Sequence, residues 1–470
     1  MSELPKDWRK AFIENLLEDL DVGKRLHQGW SPRCHKEPSE DDDVWGVLKT
    51  TAIQKGQFLP EHNKRLPDEL EPRPNIEVKN GDLLLTCAGP RIRCGIPCMI
   101  RTTRPKLMMS GKMYRFRADR TQIEPEYLEA FLLSKDAQDT INRMKTGISE
   151  SGLNLTHGRF KTLEVPIAPL PEQRRIVARI EELFSRLDAG VAALRHAKAQ
   201  LQRYRQSVLA AAVTGQLTQA WREQHPDTEP AEELLKRILK KRKEQWNGRG
   251  KYTEPDSPDV SKMPKIPAAW KWARLDAICA IGSGMSVSKT RTHKNPLEVS
   301  YLRVANVQRG HLVLDEVKFM EIEADRLPVL SLKKGDVLFN EGGDRDKLGR
   351  GWIWEGQIDP CITQNHVFRA SAYDLETILP KFLSHWGNVF GQQFFIDEGT
   401  QTTNLASINK GVLSSFPVPI PTVAEQHQIV AEVEARTTAI DHLEAELDRQ
   451  ITRSNRLRQS TLSSAFAGNL

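Results

Sequence analysis

Cysteine is scarce in this chain. Only six of 470 residues (Cys34, Cys87, Cys94, Cys98, Cys279 and Cys361) carry a thiol, unevenly spread, which is unlike the dense framework of a small secreted domain and reads as reduced thiols. Long apolar runs are missing as well: no 18-residue stretch is continuously apolar, and no charged-then-apolar leader opens the chain. A membrane span or secretory signal therefore lacks its physical requirement, and a cytosolic compartment is expected. Charge of a single sign is also lacking. The 68 basic and 62 acidic side chains leave a formal +6, which is compatible with an anionic partner but too small to establish one.

Catalytic signatures are missing too. There is no phosphate-cradling Gly-x-x-x-x-Gly-Lys-Ser/Thr loop, no His-Glu-x-x-His and no Gly-x-Ser-x-Gly. The adenine-methylating Asn-Pro-Pro-aromatic signature is absent, since Asn295-Pro296 continues with Leu297. Cys87, Cys94 and Cys98 lie near one another in sequence, with Cys34-His35 upstream. They do not form the paired knuckles of structural zinc, so no metal site is assigned.

What the chain has is a long repeat. Arg203-Tyr204-Arg205-Gln206-Ser207-Val208-Leu209 through Gly215-Gln216-Leu217 returns as Arg456-Leu457-Arg458-Gln459-Ser460-Thr461-Leu462 through Gly468-Asn469-Leu470. The offset is 253, since 217 plus 253 is 470. Val165-Pro166-Ile167 and Glu172-Gln173 match Val418-Pro419-Ile420 and Glu425-Gln426 in the same register. So long a period marks a duplicated domain pair and not a solenoid.

Each copy ends in a heptad stripe. Ile180, Leu187, Leu194, Leu201 and Val208 form a column, flanked by Leu183, Ala197, Tyr204 and Ala211. In the second copy Val433, Ile440 and Leu447 continue the pattern beside Leu443, Ile451 and Leu457, with Ser454 and Thr461 interrupting it. Such stripes pack along a partner helix. With a related mate in the same chain, an intramolecular antiparallel pair is favoured by local concentration.

A globular body precedes each helix. Both bodies open alike, Leu4-Pro5-Lys6-Asp7-Trp8 and Ile266-Pro267-Ala268-Ala269-Trp270. Both continue with an apolar segment running into a glycine turn, Leu48 to Gly56 and Leu302 to Gly310, then with Gly81-Asp82 and Gly335-Asp336 turns feeding buried strands. The expected fold class is α+β, with two mixed bodies each followed by a long helix, the helices paired as an antiparallel coiled coil with pseudo-twofold symmetry. The expected boundaries are 1–170 for the first body, 171–217 for its helix, 218–263 for a connector, 264–422 for the second body and 423–470 for its helix. Within the connector, Ala231 to Trp246 reads as an amphipathic helix with a solvated basic end, and Gly248 to Pro267 as a flexible linker.

Beyond the Gly-Asp turns, glycines stand among basic residues, in Arg91-Ile92-Arg93 and in Asp344-Arg345-Asp346-Lys347-Leu348-Gly349-Arg350. Arginine's planar fork fits guanine edges or phosphates, and amides such as Gln364, Asn365 and those around Thr402 and Thr403 fit adenine edges. With Lys49, Arg303 and Asn306 from the glycine-turn segments, the candidate DNA-contacting set is Lys49, Arg91, Arg93, Arg303, Asn306, Arg345, Lys347, Arg350, Gln364, Asn365, Thr402 and Thr403. Ordinary solvated loops, turns and caps are the competing reading.

From Val165 to Gln173, from Val418 to Gln426, at the Gly-Asp turns and at Thr400-Gln401-Thr402-Thr403-Asn404, the chain resembles the DNA specificity subunits of bacterial type I restriction-modification enzymes. The resemblance implies that each body is a target recognition domain for half of a split double-stranded DNA site. It implies that the helices space the bodies and dock two methyltransferase subunits, with restriction subunits completing the complex. Glu172, Gln173, Glu425 and Gln426 are then candidate docking residues. It further implies a non-catalytic chain that binds no cofactor itself, with S-adenosylmethionine in the methyltransferase partner and ATP and Mg in the restriction partner. The first copy departs where Gly147-Ile148-Ser149-Glu150-Ser151-Gly152 replaces the Gly-Thr-Gln-Thr-like stretch. A coiled-coil scaffold joining two protein-binding domains, without DNA, would account for the duplication equally well but not for the basic loops.

Overall fold

The computed structural model describes residues 4–21, 23–246, 251–288, 293–343, 347–401 and 406–470. Contacts divide the chain into two units, Met1–His196 with Glu446–Leu470, and Ala197–Ala445. Each unit therefore holds one body, the head of that body's own long helix and the tail of the other long helix.

In the first unit, the strand Arg9–Phe12 follows the Pro-Trp opening and pairs antiparallel with Glu164–Ile167, Arg9 opposite Ile167. A two-stranded ladder tolerates Pro166, which has no N–H to give. At the Gly81-Asp82 turn, Gly81 takes φ +87°. The buried Asp82 carboxylate accepts the Lys79 N–H at 2.7 Å and Arg117 Nε at 2.6 Å. The turn delivers the fully buried strand Leu83–Thr86 into a four-stranded sheet ordered His27–Gln28, Met113–Phe116, Leu83–Thr86, Pro97–Met99. Leu83 lies opposite Phe116. A second sheet sets Leu107 parallel to Gly46.

The second unit repeats these registers. Lys271–Arg274 pairs with Pro417–Ile420, Lys271 opposite Ile420. Asp336 accepts the Lys333 N–H at 2.8 Å and the Ser371 hydroxyl at 2.5 Å. Val337 lies opposite Ala370, and Cys361 runs parallel to Ser300. Adding 254 to Leu83, Phe116, Leu107 and Gly46 gives 337, 370, 361 and 300, so both sheets keep their pairing through the duplication.

The long helices are Leu170–Val213 and Val423–Phe466, and they pair antiparallel in each unit. In the first, Ile176 and Ile180 share a core with Leu462, Ala465 and Phe466, and Arg458 pairs with Asp188. Phe466 meets Tyr127 and Phe131 edge-on at 5.1 and 5.3 Å between ring centroids. In the second, Leu209 and Ala212 pack with Ile429, Val430 and Val433, and Arg205 pairs with Asp441 and Glu444. Tyr204, Leu443 and Leu457, expected beside the seam, are exposed instead. A two-helix pair covers only a narrow stripe and leaves its flanks in water. Ser454 remains compatible with the helix by returning its hydroxyl to the Gln450 carbonyl at 3.0 Å.

The connector is anchored more firmly than its composition suggests. Its helix Ala231–Glu244 buries Leu234 and Ile238 in the core of the second unit. Arg242, expected in a solvated basic end, is buried and donates to the carbonyls of Asp276 and Thr253 at 3.1 and 3.0 Å. Met263 packs against the same core, and Lys262 lies 3.7 and 3.6 Å from Asp397 and Glu398. The stretch read as a free linker is thus held at several points among its described residues. Among the described residues no helix is long and apolar enough to cross a membrane.

Candidate nucleic-acid interface

Three segments converge at one end of the first body. The Ala88–Gly89 strand pairs with Leu153–Asn154, which brings the loop at 90–95 beside the loop at 146–152. Arg91 closes on Glu150 in a two-pronged ion pair of 2.6 and 2.9 Å, reinforced by the Arg91 N–H donating to the Glu150 carbonyl at 3.0 Å. The fork holds the Glu150 carboxyl below its ordinary range and raises Arg91. Lys145 donates to the Arg91 carbonyl at 3.0 Å. Burial outweighs its neighbouring charges and lowers its pKa. The third segment, around Lys49 to Gly56, is reached by Arg93, which donates to Gln54 Oε1 at 3.2 Å, to the Ile53 carbonyl at 2.9 Å and to the Thr50 carbonyl.

The glycines make this approach possible. Gly89 lies at φ +137° and Gly95 at φ +84°, conformations that side-chain-bearing residues rarely adopt. A Cβ on Gly95 would stand 2.6 Å from Ile141. In the second body Gly343 and Gly349 take φ +133° and +63°, and a Cβ on Gly349 would collide with Phe395. Gly342–Gly343 pairs with Ala406–Ser407 as Ala88–Gly89 does with Leu153–Asn154. Arg350 donates to Gln308 Oε1 at 3.1 Å, which ties this loop to the segment from Arg303 to Gly310 just as Arg93 ties the first loop to Gln54. The same three-segment platform is therefore built twice.

The candidate residues divide by what they touch. Arg91 is exposed, and Lys49, Lys347, Gln364 and Asn365 are half-buried at or beside the platforms. Asn365 Nδ2 lies 3.3 Å from His366 Nε2, and His366 Nδ1 lies 2.9 Å from the Glu341 carboxylate. Arg345, Thr402 and Thr403 lie outside the described residues.

Arg93 and Asn306 make their hydrogen bonds within the body. The Arg93 guanidinium is spent on backbone carbonyls. Asn306, 3% exposed, accepts the Arg303 N–H and donates to the carbonyls of Val313 and Glu316. Arg303 itself is half-buried and pairs with Glu316 at 2.9 Å. These residues shape the platform and do not face outward. Gln54 and Gln308, passed over in the sequence, join its segments. Their signal was present, a glutamine two residues before the turn glycine in both copies.

The residues proposed for docking also do something else. Gln173 is 0% exposed: its Oε1 accepts the Glu124 N–H at 2.9 Å, and its amide donates to the carbonyls of Gln122 and Ala168 at 3.0 and 2.8 Å. Gln426, equally buried, accepts the Leu379 N–H at 2.8 Å and donates to Thr377 and Pro421 at 3.0 and 3.2 Å. Glu124 and Leu379 are the N-cap residues of Pro125–Leu133 and Pro380–Trp386, so each glutamine fastens a long helix to a helix of its body. Glu425 is buried against Trp270 Nε1 at 2.8 Å, the Thr218 hydroxyl at 2.8 Å and Arg222. Glu172 is half-buried and accepts Trp8 Nε1 at 3.2 Å. All four are internal clamps, because their polar atoms already have partners inside the chain.

The thiols are set in apolar surroundings. Cys87 and Cys94 lie in one apolar cluster and Cys98 in another. Burial pushes Cys87 up to about 12 and raises Cys94 and Cys98, which disfavours the thiolate that metal binding needs.

Residues 267–453 match the family model described as "Type I restriction modification DNA specificity domain". The EcoEI specificity subunit of Escherichia coli is 36% identical over 186 residues, 40% of this chain but only 30% of that relative. The EcoBI specificity subunit of Escherichia coli is 26% identical over 458 residues, covering 96% of this chain and 85% of the relative. The EcoKI specificity subunit of Escherichia coli (strain K12) is 24% identical, covering 91% and 83%. Among solved structures, a chain from work on complex assembly and conformational transition of the type I R-M system has a TM-score of 0.68 at 18% identity, covering 100% of both chains. The HsdS subunit from Thermoanaerobacter tengcongensis has a TM-score of 0.51 at 18% identity, covering 100% of this chain and 98% of that one. These two likenesses concern the fold.

Proposed function

From a chain related to the DNA specificity subunits of type I restriction-modification enzymes, we propose a sequence-specific DNA-recognition subunit that reads a bipartite double-stranded site, one half-site per body. The observation that carries this is the duplicated platform. Its buried frame keeps the same register and clamps in both bodies, while the sequence of the loop between its glycines differs, Arg91-Ile92-Arg93 against Arg345-Asp346-Lys347. Frame residues position a reader and outward residues meet base edges, so two half-sites of different sequence call for this division.

On the same reading, the chain performs no chemistry. The helix pair docks two methyltransferase subunits that carry S-adenosylmethionine, and restriction subunits bring ATP and Mg. With Gln173, Glu425 and Gln426 occupied internally, docking falls to outward helix positions such as Tyr204, Leu443 and Leu457, which are about half exposed.

Selection of bound duplexes from a random pool should return two defined blocks separated by an indifferent gap. Binding to them should weaken steeply with salt as phosphate counterions are released. A single block, or no enrichment, rejects the proposal. A scaffold without DNA affinity would give the latter.

A further inference from the structure

Ile92 and Ile148 are 83% and 109% exposed, more than any other large apolar side chain among the described residues. Scattered singly, exposed apolar residues need no explanation. These two share one place. Ile92 adjoins Arg91 and Ile148 lies two residues before Glu150, and the Arg91 to Glu150 bonds hold the two loops together.

The polar groups around them are committed. Arg91's fork faces Glu150, and Arg93's faces the carbonyls of Thr50 and Ile53, so neither offers the free fork that guanine O6 and N7 require. Ser149 and Ser151 bond one another at 3.1 Å. What the tip presents outward is branched hydrocarbon. In the major groove the apolar feature of a base edge is the thymine C5-methyl group. We infer that Ile92 and Ile148 are specificity-determining residues that read thymine methyl groups in the half-site of the first body. This rests on the DNA-recognition reading proposed above.

The paired strands fix the offset at 254 from Ala88–Gly89 to Gly342–Gly343 and at 253 from Leu153–Asn154 to Ala406–Ser407, so 92 and 148 correspond in sequence to Asp346 and Gln401. The matching positions of the second body are polar, so the second half-site should not share this dependence on methyl groups.

The test uses the full chain and a duplex carrying both selected half-sites, with each thymine replaced in turn by deoxyuridine, which removes only the methyl group. Affinity should fall about fourfold at one or two thymines of the first half-site, as expected for one lost apolar methyl contact. Ile92→Ala and Ile148→Ala should bind the thymine duplex more weakly and become indifferent to uracil at those positions. Because both side chains are exposed, the variants should melt as the parent does.

Specific binding without uracil sensitivity in the first half-site would overturn the inference and leave DNA recognition standing. Sensitivity that survives both substitutions would do the same. Strong unstacking of a base step, seen as 2-aminopurine fluorescence lost in Ile148→Ala, would overturn it in favour of an intercalating wedge. Absence of any specific binding would remove the premise and the inference together.

Discussion

Single side chains in this molecule are valued by what already holds them. Arg91 and Arg93 look interchangeable as letters, but one forks onto a carboxylate at the surface and the other onto backbone carbonyls. His385 makes the same point for protonation. Burial, opposed by Glu434 and assisted by Lys381, brings its pKa down to about 4, with the Trp352 ring edge-on at 5.6 Å. A histidine depressed from 6.5 in the folded state is neutral there, while the unfolded chain takes up a proton between about pH 6.5 and 4. Its contribution is therefore fully present above pH 6.5 and is lost as pH falls through that window, by on the order of 3 kcal/mol. Denaturant titrations of the parent and His385→Gln at a series of pH values should show the parent losing stability relative to the variant on acidification. Parallel curves would mean that His385 is solvated. None of this was legible beforehand, because a lone histidine carries no sequence signal for its burial.

At the scale of elements the repeat was the legible part. The Pro-Trp openings, the Val-Pro-Ile strands, the Gly-Asp turns and the long helices all stand where their matching letters place them, because turn chemistry and heptad spacing are local. The role of Glu-Gln was not legible. It depends on Glu124 and Leu379, tens of residues away, whose N–H groups the glutamines accept. Gln426 fastens the second long helix to Pro380–Trp386 through three buried hydrogen bonds. Gln426→Ala strands the Leu379 N–H and two carbonyls, which should cost about 3 kcal/mol. Gln426→Glu should not rescue it, because an ionised carboxylate cannot donate to Thr377 and Pro421. Gln428→Ala, removing one half-exposed bond to Glu432 at 3.3 Å, should cost less than about 0.5 kcal/mol. Equal effects at the two positions in chemical denaturation would refute the clamp.

For the molecule as a whole, the decisive property is that the first unit is completed by the far end of the chain. Its core takes Leu462, Ala465 and Phe466 from the second helix, Gly468 at φ +78° sits on Pro5, and Arg175 donates to the Leu470 carbonyl at 3.0 Å. The first repeat ends in a near copy of that tail. Subtracting 253 from 462, 465 and 466 gives Leu209, Ala212 and Val213, followed by Gly215-Gln216-Leu217. A fragment of residues 1–217 should therefore dimerise, each copy lending its tail to the other, and on the function proposed above it should, with methyltransferase partners, modify an inverted repeat of the first half-site. The weak point of that dimer is Val213, which is smaller than the Phe466 that meets Tyr127 and Phe131 and leaves unfilled volume in a packed core. Val213→Phe in the fragment should then tighten the dimer severalfold in sedimentation equilibrium, whereas Val213→Asp should abolish it. A fragment that stays monomeric, or a dimer indifferent to residue 213, would show that the two tails are not exchangeable despite their matching sequences.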